Sequence, residues 1–244
     1  NVVPLPINKS LTWNGPFPLV IMVDLGHAQL AQTNTDFYWS TYLGGSGSDA
    51  GIDIKTDKNN KLYITGYTES SDFPVYQGIY TSPSAYTNAF IGKFDSLAVR
   101  KWVTYYGGSG HDYGTTLSIF ENSTEKYLFA CGYTTSSIFP IFPATNPNDG
   151  TYYDSTLSGS GDGFIIKFDD AGYPIRAAYF GGCSSDGILS SDVDTTGALV
   201  ITGYVYSTPS CTNFPLKNFV TDTYYQTSIN SSSSNIYSFI AKFN

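Results

Sequence analysis

The sequence predicts an all-β protein built from a repeated unit of four short antiparallel strands. Aromatic residues make up 16% of the 244 residues, with 21 Tyr and 16 Phe, whereas charged residues make up 13%. Aromatic and β-branched residues favour strands, and no stretch is dominated by the Glu, Lys, Leu and Ala that favour helices. A tandem repeat with turn-forming residues at regular places supports the same prediction. We expect one domain, because repeat folds of this length commonly form one.

The repeat consists of short motifs in a fixed order. A Gly-rich segment opens each unit: WSTYLGGSGSDAG from Trp39, WVTYYGGSGHDYG from Trp102 and AAYFGGCSSDG from Ala177. A strand-like motif follows: KLYITGY from Lys61, KYLFACGY from Lys126 and ALVITGY from Ala198. DFP, IFP and NFP come next, and the units close with AFIGKFD, GFIIKFD and SFIAKFN. Recurrence of this kind is typical of propellers and other repeat architectures.

Four strands fit into each unit. In the first unit they are residues 51–57, 62–68, 89–95 and 100–106. Turn formers stand where the hairpins need them, at Asn59-Asn60, Ser123-Thr124, Thr196-Gly197 and Asp170-Ala171-Gly172. A lone four-stranded sheet cannot bury both of its faces, so the units are predicted to stack face to face as β-propeller blades.

The ends of the chain are predicted to fall inside blades. We place a partial blade or N-terminal strand segment at residues 1–38 and repeat units at 39–101, 102–175 and 176–244. Propellers typically have about four to eight blades. Either the chain is an excerpt of a longer array, or neighbouring copies complete each other's blades. The segment DFYWSTY around Trp39 is a candidate to close the last blade, and an N-terminal strand given to a neighbouring copy would link copies into a filament.

The motifs resemble the bacterial and archaeal β-propeller repeat family SBBP. Units of that family carry a YLGG-S-G-x-D-x-G opening, a VYVTGYT-like strand, an FP turn and a DAFVAKF-like closing strand. The resemblance extends over nearly the whole chain and implies propeller blades of an extracellular type, but no particular activity. The third unit departs from the pattern, with Cys183 in place of the usual Ser and a longer insert.

Composition disfavours several partners. The formal net charge is −8 and the 12 Lys and Arg are scattered, which disfavours a nucleic-acid partner. The longest apolar stretch, residues 18–23, is far shorter than the roughly 20 residues of a membrane helix, so no membrane insertion is expected. The glycine pairs are followed by neither a helix signal nor Lys-Ser/Thr, which disfavours a phosphate site. No cofactor is predicted.

The inserted loops are candidate binding surfaces. They span residues 75–88, 141–160 and 216–237, and are rich in Tyr, Ser, Thr, Asn and Gly, which suits adaptable contact loops. Their candidate residues for stacking on sugar rings or on a partner protein are Tyr80, Tyr86, Tyr152, Tyr153, Tyr224 and Tyr225. The alternative is that these tyrosines cover the blade tops and pack locally.

Each Gly-rich loop contains an aspartate, at Asp49, Asp112 and Asp186. A carboxylate there can accept hydrogen bonds from backbone amides and set the turn. Calcium is a weaker interpretation, because the loops lack the D-x-[DN]-x-[DN]-G spacing of a calcium motif.

Cysteines and sequons favour an extracellular or cell-surface location. Cys183 and Cys211 belong to the same unit and are predicted to form a disulfide, whereas Cys131 lies within a strand motif and is predicted to be a buried thiol. Glycosylation sequons begin at Asn8, Asn122 and Asn230.

The sequence does not predict an enzyme. His111 stands next to Asp112, but no G-x-S-x-G elbow accompanies it, and it replaces an ordinary loop Ser of the other units. We expect a non-catalytic extracellular or cell-surface protein with a structural, adhesive or filament-forming role, whose partners are copies of itself, other surface proteins or glycans. The alternatives are a carbohydrate-binding propeller and a propeller glycoside hydrolase, which would need a pair of carboxylates.

Overall fold

The computed structural model describes residues 39–84, 86–142, 152, 154–208, 211, 213–215 and 234–243. These ranges contain eleven strands and no helix, which confirms the predicted all-β class. The chain divides into two units, Asn1–Leu43 and Gly44–Asn244, and every described strand belongs to the second. Residues 39–43 of the first unit contain no strand, and the beginning of the segment predicted to close the last blade, residues 36–38, lies outside the described residues.

The strands form three antiparallel sheets in chain order. The first sheet contains β1 (Asp49–Thr56), β2 (Leu62–Thr68), β3 (Asn88–Phe94) and β4 (Arg100–Tyr106). The second contains β5 (Asp112–Glu121), β6 (Lys126–Thr134), β7 (Asp162–Asp169) and β8 (Pro174–Phe180). The third contains β9 (Asp186–Val193), β10 (Leu199–Ser207) and β11 (Asn235–Phe243). Each sheet pairs its strands in sequence order, as propeller blades do.

Turn chemistry explains where the hairpins reverse. Asn60 and Gly197, in the β1–β2 and β9–β10 turns, adopt positive φ angles of 57° and 90°. Gly172, between β7 and β8, has a φ of 91°. Glycine and asparagine tolerate this left-handed region best, so the predicted turn residues stand where the backbone requires them.

A repeated bulge bends the first strand of every sheet. The strand registers shift after Gly51 in β1 and after Gly114 in β5. A glycine stands opposite each bulge, and a Cβ atom at Gly66 or Gly132 would collide with the carbonyl oxygen of Ala50 or Tyr113. The glycine of the GY motif is therefore required by the close approach of two backbones.

The core lies between the sheets. One cluster joins the first and second sheets and includes Tyr63, Trp102, Leu117 and Phe168. A second cluster joins the second and third sheets and includes Phe129, Phe180, Ile188, Leu199 and Phe239. Face-to-face packing thus buries the aromatic and branched side chains that a single sheet would expose.

No described helix has the length and apolar character needed to cross a membrane.

Candidate functional site

The Gly-rich loops are held by the three repeated aspartates. A carboxylate oxygen of Asp49 accepts a hydrogen bond from the amide of Gly45 at 2.8 Å, and Asp112 accepts one from Gly108 at 2.8 Å. Asp186 accepts one from the Gly182 amide at 2.5 Å. This is the predicted turn-forming arrangement. Within the described ranges, no group of three or more acidic, His or Cys side chains is placed to hold a metal ion.

Two of the loop tyrosines pack locally. The ring of Tyr80 meets that of Tyr106 at a centroid distance of 5.4 Å, and the Tyr152 ring meets those of Phe180 and Phe243 at 5.4 and 5.6 Å. Burial raises the pKa of both phenols. Tyr80 and Tyr152 therefore fill space beside the sheets. Tyr153, Tyr224 and Tyr225 lie outside the described residues.

Tyr86 is different, because 57% of its surface is exposed and it borders a row of rings. Its ring lies 5.1 Å from that of His111, which stacks on Tyr113 at 6.5 Å. Tyr113 in turn contacts Tyr67 at 5.3 Å and Tyr133 at 6.4 Å. We call Tyr67, Tyr86, His111, Tyr113 and Tyr133 the aromatic row. It runs across the first and second sheets.

Polar contacts fix the aromatic row in place. The hydroxyl of the buried Thr87 lies 3.0 Å from Nδ1 of His111 and donates to Glu69 at 3.4 Å. The carbonyl of Thr87 accepts the amide of Asp112 at 2.9 Å, which joins the two sheets. Tyr86 and His111 are exposed, while the other three rings of the row are half-buried. Such a surface can stack against flat apolar faces, such as those of a sugar ring or another aromatic group.

Sequence reasoning predicted Tyr86 as a contact residue but missed Tyr67, Tyr113 and Tyr133. Their signal was present in the repeat: Tyr67, Tyr133 and Tyr204 each follow the glycine of a GY motif. Strand pairing places these three tyrosines at equivalent positions of β2, β6 and β10. A side chain repeated at the same register of successive blades forms a row only once the blades stack.

A disulfide joins Cys183 of the third Gly-rich loop to Cys211, with their Cα atoms 5.5 Å apart. This confirms the predicted pair. Cys131 is a buried free thiol, as predicted, and burial raises its pKa. Asn122 is exposed in the β5–β6 turn, where its side-chain oxygen accepts the amides of Thr124 and Glu125 at 2.8 and 2.7 Å. The sequons at Asn8 and Asn230 lie outside the described residues.

A pair of buried aspartates was not predicted. Asp162 begins β7 and Asp186 begins β9, and both are fully buried where the second and third sheets meet. The amide of Asp186 donates to the carbonyl of Gly161 at 2.9 Å, which brings the two strands together. One carboxylate oxygen of each, Oδ1, has no hydrogen-bond partner in the structure.

Burial raises the pKa of Asp162 to about 7, and the neighbouring Asp186 carboxylate adds to the rise, against a hydrogen bond from the Ser158 amide. Burial likewise raises the pKa of Asp186 to about 6, against the hydrogen bond from Gly182. Burial in a site that excludes water thus favours the protonated form of both acids.

Two four-stranded sheets and one three-stranded sheet, all antiparallel, pack face to face, and a Gly-rich loop precedes each. They define a protein of propeller-like blades, which do not close into a ring in the described part of the chain. Comparison with known families agrees: the family model SBBP, a beta-propeller repeat, matches residues 39–74. That segment holds the first Gly-rich loop, β1, β2 and the DFP turn, and the match confirms the resemblance there. No curated protein matches the chain.

Proposed function

We propose that this chain is a non-catalytic extracellular or cell-surface protein with a structural and adhesive role. Its sheets supply a rigid body, and the aromatic row supplies the contact surface. The observation that carries the proposal is the row itself. Five rings from separate loops and strands adjoin one another at one surface. Tyr86 and His111 are exposed, and His111 is held by its hydrogen bond to the Thr87 hydroxyl. Rigid aromatic side chains give large contact area at little entropic cost.

The disulfide supports the proposed location. Structural disulfides persist in oxidising surroundings and are rare in the reducing cytosol of most organisms. The exposed sequon at Asn122 and the match to the SBBP repeat agree with an extracellular setting.

Carbohydrate binding is the second candidate function, and the aromatic row favours it over hydrolysis. Glycoside hydrolysis needs two carboxyl groups that flank the scissile bond. Asp162 and Asp186 form one close acid pair among the described residues, and both are fully buried where a glycan has no access to them. Stacking needs only exposed rings.

Retention of coated beads on the immobilised protein under flow tests the proposal, with cellulose, chitin and mannan as separate coatings and albumin as a protein coating. We expect at least one coating to be retained, and retention to fall strongly in Tyr86→Ala and Tyr113→Ala. Tyr173→Ala is the matched control, because Tyr173 is an equally exposed tyrosine on the β7–β8 turn.

Retention of the sugar-coated beads alone would indicate carbohydrate binding. Retention of the albumin-coated beads as well would indicate general adhesion. Equal retention by wild type and both row variants would show that the row is not the contact surface.

A further inference from the structure

The third sheet exposes a face that the first and second sheets bury. The cross-strand pair Thr65–Ile91 of the first sheet corresponds to Cys131–Ile165 of the second and to Thr202–Ile240 of the third. Ile91 is 0% exposed and Ile165 packs into the cluster shared with the third sheet, but Ile240 is 83% exposed. Thr65 and Cys131 are buried as well, whereas Thr202 is exposed.

We call Thr202, Ile236 and Ile240 the free face of the third sheet. Ile236 is exposed and lies on the same side of β11 as Ile240, since side chains alternate along a strand. In the first two sheets, the corresponding face is covered by the next sheet in the chain.

The first sheet carries the complementary surface. Its pair Ile54–Ile64 corresponds to Leu117–Ala130 of the second sheet, which packs against the first sheet. Leu117 is 0% exposed, whereas Ile54 is 57% exposed. We call Ile54 and Ile64 the free face of the first sheet. The side chains that would meet a preceding sheet are thus partly open to solvent.

We propose that copies of this chain associate head to tail, with the free face of the third sheet of one copy packed against the free face of the first sheet of the next. A second copy is the partner because each chain carries both halves of an interface that it forms twice internally. The two surfaces differ, so the contact is heterologous and can repeat from copy to copy. The inference rests on the structural role proposed above and adds how copies join.

The internal interfaces also indicate the backbone contact. At the first, the Asp112 amide donates to the carbonyl of Thr87, and at the second the Asp186 amide donates to that of Gly161, both at 2.9 Å. The equivalent groups in the proposed contact are the amide of Asp49 in one copy and the carbonyl of Ile236 in the other. Apolar packing and this hydrogen bond would together fix the register of the two sheets.

Sedimentation velocity of the full chain over a wide range of concentrations tests the proposal. Wild type should form species that grow with concentration, and Ile240→Lys and Ile54→Lys should each remain monomeric, because a charge is placed in the apolar contact. Ile138→Lys is the matched control, since Ile138 is an exposed loop isoleucine outside both faces. Thermal unfolding shows whether each variant is folded.

A mixture of the two monomeric variants gives the sharpest result. Ile240→Lys retains the face of the first sheet and Ile54→Lys retains that of the third, so an equal mixture should form dimers and nothing larger. Monomeric wild type, or growth that both variants preserve, would overturn the proposal. Bead retention by the monomeric variants is measured in a separate experiment. It tests the proposed adhesive role independently of self-association.

Discussion

The two interfaces between sheets share one architecture but handle charge differently. Between the first and second sheets, Lys93 lies 2.6 Å from Asp170, and Lys126 pairs with Asp57. Between the second and third, the ammonium of Lys167, which stands where Lys93 stands in the first sheet, lies over the Tyr127 ring at 3.6 Å. The repeat therefore preserves the position of the cation and changes its partner.

The two interfaces also differ in a buried polar residue at the start of the third strand of the first and second sheets. Asn88 at the first interface occupies the position of Asp162 at the second. The side chain of Asn88 accepts the Ser84 amide at 3.0 Å and donates to the Tyr86 carbonyl at 2.8 Å, so both of its ends are bonded. Asp162 instead leaves a buried oxygen without a partner beside a second acid. At this position the first interface satisfies its buried polar side chain, whereas the second holds a buried carboxyl group whose ionisation is unfavourable.

Removing one phenylalanine from each interface should have the largest effect. Phe168 is fully buried against Trp102 and Tyr106, whereas its equivalent Phe243 is half-buried. Phe168→Ala should lower the free energy of unfolding by about 3–5 kcal/mol, and Phe243→Ala by about 1–2 kcal/mol because less surface is lost. Urea denaturation measures both. Equal losses would show that the two interfaces are equally well packed.

The next comparison concerns the hydrogen bond that holds each Gly-rich loop to the segment before the FP motif. The amide of Ser46 donates to Asp72 at 2.7 Å in the first unit, and that of Cys183 donates to Asn213 at 2.9 Å in the third. Among the described residues, the loop of the third unit also has a disulfide, which joins Cys183 to Cys211. Cys183→Ser with Cys211→Ser should cost about 2–4 kcal/mol, because the unfolded chain regains the freedom of the loop.

Urea denaturation with and without reductant checks this prediction. Reductant should destabilise wild type by the same amount and leave the double variant unchanged. A double variant as stable as wild type would mean that the hydrogen bond from the amide of residue 183 to Asn213 is enough to hold the loop.

The buried acid pair makes stability depend on pH. Asp162 has a pKa of about 7 in the folded state against 3.8 as the ordinary value, so the folded protein keeps a proton that the unfolded chain loses. The contribution of Asp162 to stability is constant below about pH 4, falls as the pH rises towards 7, and stays lower above it. Asp186 acts in the same direction up to about pH 6, and Asp154 adds a weaker repulsion.

Asp162→Asn should therefore stabilise the protein by about 2 kcal/mol at pH 8 and change little at pH 4. The reciprocal variant Asn88→Asp should bring the same pH dependence to the first interface. Thermal unfolding at the two pH values measures both effects. An Asp162→Asn variant whose stability relative to wild type is the same at both pH values would contradict the raised pKa of Asp162.

These cases show which features the sequence could predict. The strands, hairpin turns and disulfide follow from local motifs, such as Thr196-Gly197 at a turn that needs positive φ. Asp162 and Asp186 are 24 positions apart in the numbering, and only the contact between sheets makes them a buried pair. Tyr67 and Tyr113 likewise adjoin only across that kind of contact. Pairings between blades depend on the stacking geometry, which no motif encodes.

The smallest expected effect concerns the two cations. Lys93 is buried, and its ammonium bonds to both the side chain and the carbonyl of Asp170. Lys93→Met removes these charged hydrogen bonds. Asp170 is half-exposed and keeps Lys126 as a partner at 3.3 Å. We expect a loss of about 1 kcal/mol, because solvent and Lys126 compensate part of the charge. Lys167→Met should fall within about 0.5 kcal/mol of wild type, since burial already lowers the pKa of Lys167 and Met keeps contact with the Tyr127 ring. Urea denaturation at neutral pH compares the two, and a larger loss at Lys167 would reverse the assignment of the first interface as the one held by ion pairs.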